Sequence, residues 1–127
     1  MPRLPVTREI PPPLELDCLR ALWELGEGNA NRVRAALAGQ RTLAYTTVLT
    51  LLERLTKRGL LMRRKVGRSF IYTPIRDREA MRQVAVREMV ELYFDGDRES
   101  LLAWLQGLAA GRESASSEER RLDATLL

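Results

Sequence analysis

The sequence predicts a mostly α-helical fold with one small β-hairpin. Three observations lead there. Apolar residues recur at three- and four-residue spacing in five separate segments. That period lapses once, over LLMRRKV and SFIYT, two short strand-like runs split by Gly67-Arg68. Proline, glycine and capping residues punctuate the joins. The 127 residues suit one domain with a small appendage, and a chain 45% hydrophobic and 30% charged can bury a core.

Residues 1–10 contain prolines and no period, and read as a flexible arm. Pro11, Pro12 and Pro13 end it, and Pro13 suits the first position of a helix running to Leu25, with Leu16, Leu19, Leu22, Trp23 and Leu25 as its apolar positions. Gly26 and Gly28 stop that helix. Asn29 caps a short second helix carrying Ala30, Val33, Ala36 and Leu37, closed by Gly39. Thr42 is the cap candidate for a third helix, LAYTTVLTLLERLTKR, ending at Gly59 and spanning about 43–58. The hairpin follows, with Gly67 placed for a type II′ turn and Pro74 closing the second strand. Asp77 caps a fourth helix over about 78–94, Gly96 breaks it, and Asp97 caps a fifth over about 98–108. Residues 109–127 are polar and rich in small residues, and read as a disordered tail.

Composition removes several kinds of chemistry. There is no His, which excludes Ser-His-Asp and Cys-His catalysis and imidazole ligation of metals. The single Cys, Cys18, excludes disulfide frameworks and Cys-rich metal sites. Asp95 and Asp97 have no nucleophile or base beside them, so no enzyme, cofactor or metal site is expected. No apolar run is long enough to cross a bilayer, and the first residues lack the apolar stretch of a signal peptide. These features lead to the expectation of a soluble cytoplasmic protein.

Charge divides the chain. Residues 1–76 carry a net +8 and residues 77–127 a net −4; residues 41–68 alone hold eight basic residues against one acid, Glu53. A basic segment this concentrated points to a polyanion, nucleic acid being the usual one, with a merely solvated surface as the alternative. The third helix sharpens the reading. At about 100° per residue, Thr46, Thr50, Glu53 and Lys57 share one arc, flanked by Thr47 and Arg54, while Ala44, Val48, Leu51, Leu52 and Leu55 lie opposite. One face needs a core. The other carries small hydroxyls at its leading end and long cations behind, the shape a DNA major groove about 12 Å wide accepts. Arg41 and Thr42 stand at its start, where backbone N–H groups favour an anion. An amphipathic helix with an ordinary solvent face is the alternative. Arg63, Arg64, Lys65 and Arg68 cluster round the hairpin turn, while Leu61, Phe70 and Tyr72 can face inward. Three helices followed by a basic hairpin is the winged helix-turn-helix order. Charges guarding an exposed sheet edge are the alternative here.

The segments LELDCLRALWELGEGNANRVRAAL, RTLAYTTVLTLLERLTKRGLL, RRKVGRSFIYTP and REMVELYFDGDRESLLAWL occur in order over roughly 13–108. Through them the chain resembles the bacterial penicillinase-repressor family, of the BlaI/MecI/CopY type. The resemblance implies a homodimeric transcriptional repressor with a winged-helix DNA-binding domain, here 11–76, and a helical dimerization region, here 77–108. It implies binding to a palindromic operator in double-stranded DNA, commonly with TACA and TGTA half-sites. Carried over by position, Arg41, Tyr45, Thr46, Thr47, Thr50 and Arg54 belong to the recognition-helix region and Arg68 to the wing; Thr42 and Lys57 join them on the helix reading above.

In members that respond to β-lactams, a membrane sensor protease system leads to cleavage in the dimerization region, and the matching bond is Tyr93–Phe94. The family often has Asn where Tyr93 stands, and Thr where Pro12 stands. The copper-responsive branch has Cys-rich C-terminal motifs that this tail lacks. The apolar residues Met89, Leu92, Tyr93, Phe94, Leu101, Leu102, Trp104 and Leu105 on short helices need a partner surface, which a second copy provides. The competing reading is a winged-helix interaction module whose basic face holds an acidic protein.

Overall fold

A computed structural model describes residues 10–111; residues 1–9 of the expected arm and 112–127 of the expected tail lie outside the described residues. The order is α1 (Pro13–Leu25), α2 (Ala30–Leu37), α3 (Tyr45–Lys57), β1 (Leu61–Val66), β2 (Ser69–Pro74), α4 (Arg78–Tyr93) and a final helix, α5, over 98–111. Residues 109–111, expected in the tail, are therefore helical, as two alanines favour. The chain forms two compact units, Met1–Val86 and Arg87–Leu127, the division falling within α4.

The first unit is the winged helix. Its core gathers Cys18, Leu19 and Leu22 of α1, Ala30, Val33 and Leu37 of α2, Val48, Leu51, Leu52 and Leu55 of α3, and Leu61 and Tyr72 at the base of the hairpin. Local signals set the ends of its elements. Gly26 at φ 84° closes α1 by donating to the Leu22 carbonyl, and the Asn29 side chain accepts from the Arg32 N–H to cap α2. Gly59 at φ 78° ends α3, with the Leu60 N–H reaching back to the Leu55 carbonyl. Asp77 accepts from the Ala80 N–H at 2.8 Å and starts α4. The start of α4 is also clasped to α1: the Trp23 indole donates to the Arg76 carbonyl at 2.9 Å, and the Arg78 guanidinium lies 5.6 Å from the Trp23 ring.

The hairpin is antiparallel, from Leu61 opposite Pro74 to Val66 opposite Ser69. Its two-residue turn has positive φ at Gly67 (62°) and not at Arg68, which is the type II′ geometry expected. Phe70 departs from expectation. It lies near the tip, beyond the reach of the core, and is exposed with the Arg63 guanidinium 4.4 Å above its ring. Ala44, expected on the buried arc, is exposed because it is the last extended residue before α3 rather than part of the helix.

In the second unit, the Phe94 and Gly96 N–H groups both reach the Val90 carbonyl, and Asp95 and Gly96 take positive φ to end α4. Asp97 then caps α5, accepting from the Ser100 hydroxyl and the Glu99 N–H. The Ser100 hydrogen bond chiefly holds its carboxyl below the ordinary value, with backbone N–H groups adding to it. A carboxyl lowered in the folded state stabilises above its unfolded pKa, so this cap is complete at neutral pH and weakens only as acid titrates it below about pH 4.

Two outcomes test this packing. Leu52→Ala should cost about 2–5 kcal/mol in urea denaturation, since Leu52 is fully buried at the centre of the three helices. Cys18 is also fully buried; burial, ahead of repulsion from Asp17 and Glu15, pushes its thiol up to about 12. An alkylating reagent at neutral pH should therefore leave Cys18 unmodified until denaturant is added.

Candidate nucleic-acid interface

Burial on one side of α3 decides what the other side presents. Val48, Leu51, Leu52 and Leu55 are in the core, so Tyr45, Thr46, Thr47, Thr50, Glu53, Arg54 and Lys57 are all exposed. The hydroxyls along this face are not equivalent. Thr50 donates to the Thr46 carbonyl at 3.0 Å, which uses its proton inside the helix and leaves an acceptor and a methyl facing out. The hydroxyls of Thr46 and Thr47 have no partner among the described residues and keep their donors.

The helix begins later than Thr42 allows. Its N-cap is Ala44, which offers no side-chain oxygen, so the first N–H groups of α3 are not capped by a side chain. Thr42 stands in the preceding loop, too far back along the chain to serve. That loop is anchored elsewhere: the Arg34 Nε donates to the Leu43 carbonyl at 2.9 Å, and the Arg41 Nε to Asp17 of α1 at 2.7 Å. Arg41 is thus tied to an acid of its own fold.

The cations of residues 41–68 divide into engaged and unengaged groups. Arg58 lies 3.7 Å from Glu15, a carboxylate almost wholly buried on the first turn of α1. Arg64 forms a two-pronged pair with Glu27 at 2.8 and 2.9 Å. Arg63 covers Phe70, and burial pushes the Tyr72 pKa up against the opposing pull of the Arg63 guanidinium. No ion pair among the described residues holds Arg54, Lys57, Lys65 or Arg68. The last two stand at the wing tip, and all four are exposed.

Sequence reasoning missed Glu27 and the pairing of Gly28. Beyond stopping a helix, Gly28 pairs with Tyr72, N–H to carbonyl in both directions at 3.1 and 2.9 Å, an isolated antiparallel bridge on the edge of β2. An acid between two glycines, GEG, before a basic hairpin was the only signal available. Among the described residues no group of His, Cys, Asp or Glu is placed to hold a metal ion, and no helix is long and apolar enough to cross a membrane.

Of the residues expected at an interface between copies, Met89, Leu92, Tyr93, Leu102, Trp104 and Leu105 are exposed, Tyr93 at 78%. Phe94 is half-buried, edge-on to Trp104 at 5.8 Å. Leu101 is 8% exposed within the chain itself.

If the threonine face is as free as its exposure indicates, Thr46→Ala and Thr47→Ala should each raise thermal stability slightly, by about 0.5 kcal/mol, because Ala is the better helix former. A loss of stability from either would contradict that placement.

The family profile of the penicillinase repressors matches residues 12–126. A penicillinase repressor of Bacillus licheniformis is 31% identical over 88 residues, 69% of each chain. The transcriptional regulator BlaI of Mycobacterium tuberculosis is 34% identical over 91 residues, 70% of this chain and 66% of the relative. The matched stretch therefore spans about two thirds of each relative. Among solved structures, Bordetella bronchiseptica BpsR aligns with a TM-score of 0.50 at 22% identity, covering 87% of this chain and 79% of that one, a likeness of fold. The winged helix, the matching profile and the two relatives lead to one conclusion: this chain belongs to the penicillinase repressor family, a family of regulators rather than enzymes.

Proposed function

We propose that the chain is a homodimeric transcriptional repressor that binds a palindromic operator in double-stranded DNA. The observation that carries this reading is a coincidence within one unit. The exposed face of α3 offers two free threonine hydroxyls, and within residues 41–68 the cations held by neither an ion pair nor an aromatic ring among the described residues, Arg54, Lys57, Lys65 and Arg68, lie on that helix and on the wing tip. In this reading α3 enters the major groove. Thr46 and Thr47 meet base edges or phosphates, Thr50 presents its methyl, and Tyr45 lies at the leading end. The uncapped N–H groups at the start of α3 favour a phosphate. Arg54, Lys57 and Arg68 follow the backbone. Arg41 and Thr42 serve from the loop, Arg41 by holding the helix start against Asp17.

Two copies are expected to associate through the second unit. Met89, Leu92, Tyr93, Leu102, Trp104 and Leu105 are large apolar side chains left exposed on α4 and α5, and a two-fold partner covers the same patch on both copies. Association makes two half-site contacts act as one through effective concentration. Leu101, buried within the chain, adds little exposed area of its own to this surface. The bond between Tyr93 and Phe94 is the candidate for proteolytic release by a membrane sensor protease system; its support here is the exposure of Tyr93 at the end of α4.

Selection from a random-sequence duplex pool tests the DNA reading. It should return an inverted repeat. Retained duplexes with no common motif would favour the acidic-partner alternative. Thr46→Ala combined with Thr47→Ala should then cost about 1–3 kcal/mol of discrimination for each base edge that the missing hydroxyls no longer read, and unchanged discrimination would discard this face as the reading surface. In sedimentation, the unsubstituted chain should run as a dimer and Leu102→Asp with Leu105→Asp as a monomer with weak operator binding; a dimeric variant would contradict the interface.

A further inference from the structure

We propose that Glu27, in the turn between α1 and α2, is a positioning residue that fixes the wing by engaging Arg64, and that Arg64 is thereby withdrawn from phosphate contact although it belongs to the most basic stretch of the chain. The inference rests on the DNA reading above and adds to it a division of labour among the wing's cations.

The geometry is that of a clamp. Gly28 pairs with Tyr72 through two backbone hydrogen bonds, an antiparallel bridge that sets the α1–α2 turn beside β2 in extended register. Side chains on a strand alternate between faces, so Glu27 emerges on the face opposite Tyr72, where Thr73 and Arg64 also lie. Both Arg64 Nη atoms donate to the two Glu27 oxygens, at 2.8 and 2.9 Å, and the Thr73 hydroxyl leans toward the same carboxylate at 3.4 Å. A planar fork meeting a carboxylate along two parallel bonds fixes direction as well as distance. The contact spans the sheet from the turn, past β2, to β1. It therefore resists a swing of the whole hairpin, which the Gly28–Tyr72 pair at the base opposes only locally.

The hydrogen bonds from Arg64 also hold the Glu27 carboxyl below its ordinary range, so the pair remains charged at neutral pH. Arg63 and Lys65 alternate to the other face of β1, and Arg68 occupies the turn. Phosphate contact falls to Lys65 and Arg68, with Arg63 held over Phe70.

The experiment is a charge-variant series on the full chain, using a duplex with TACA and TGTA half-sites in inverted repeat and a shuffled duplex of the same composition. Affinity is measured against salt. Lys65→Gln and Arg68→Gln should each reduce the slope of log affinity against log salt by about 0.9 per protomer, the value for one phosphate contact. Arg64→Gln should leave the slope unchanged. Both Arg64→Gln and Glu27→Gln should lower discrimination between the duplexes by about threefold to fivefold, the scale of an exposed two-pronged pair. The double variant should be no worse than either single one. The reversed pair, Glu27→Arg with Arg64→Glu, should restore discrimination.

A slope reduced by Arg64→Gln as much as by Lys65→Gln would overturn the proposal, as would additive losses in the double variant. Amide hydrogen exchange at Tyr72, without DNA, should accelerate equally in the two single variants and return to its original rate in the reversed pair. If the unsubstituted chain fails to discriminate the duplexes, the DNA reading fails, and the exchange comparison alone then decides the clamp.

Discussion

The burial of one side of α3 is the constraint on which the rest depends. Val48, Leu51, Leu52 and Leu55 are placed so that only one rotation of the helix satisfies them, against Leu19 and Leu22 of α1 and Val33 and Leu37 of α2. Once that rotation is fixed, the outward face has no freedom in what it displays. Threonines are poor helix formers, and three of them on one exposed turn carry a small cost in stability that packing elsewhere offsets. A functional face can therefore be built from unfavourable residues only because the opposite face is strongly determined.

Around that helix the fold treats its positive charges in two ways. Several guanidinium groups are structural: Arg34 and Arg41 hold the loop before α3, Arg64 holds the hairpin, and Arg78 covers Trp23. Each makes directed contacts that a lysine reproduces poorly. Arg54, Lys57, Lys65 and Arg68 do not share this role, and their fields project into solvent. Net charge alone does not distinguish the two groups. The basic balance of residues 41–68 signals a polyanion partner, but only the pairing pattern says which side chains are available to meet it.

How much of this was legible in the sequence follows from how local each feature is. The caps at Asn29, Asp77 and Asp97 and the turn at Gly67 depend on a few neighbouring residues, and all four were readable. So was the division of α3 into faces, because a helix makes its period explicit. Thr42 failed as a cap because the loop is held by Arg34 and Arg41 and the chain turns helical only after Ala44. Phe70 failed as a core residue because hairpin length, not alternation alone, decides which inward position reaches the core. The Gly28–Tyr72 pairing and the Glu27 clamp join residues far apart in sequence, and no local pattern announces them. The apolar surface of the second unit was legible as composition, and Leu101 of that set is buried within the chain itself.

The central claim, that the polar face of α3 together with the wing tip meets duplex DNA, is tested most directly by following backbone amide resonances while the inverted-repeat duplex is added. The account predicts that the largest shifts fall on Thr46, Thr47, Thr50 and Arg54 and on Lys65 to Arg68, with the amides of α5 changing little. Shifts concentrated in α5 or in the Trp23–Arg78 clasp, with α3 unperturbed, would contradict it.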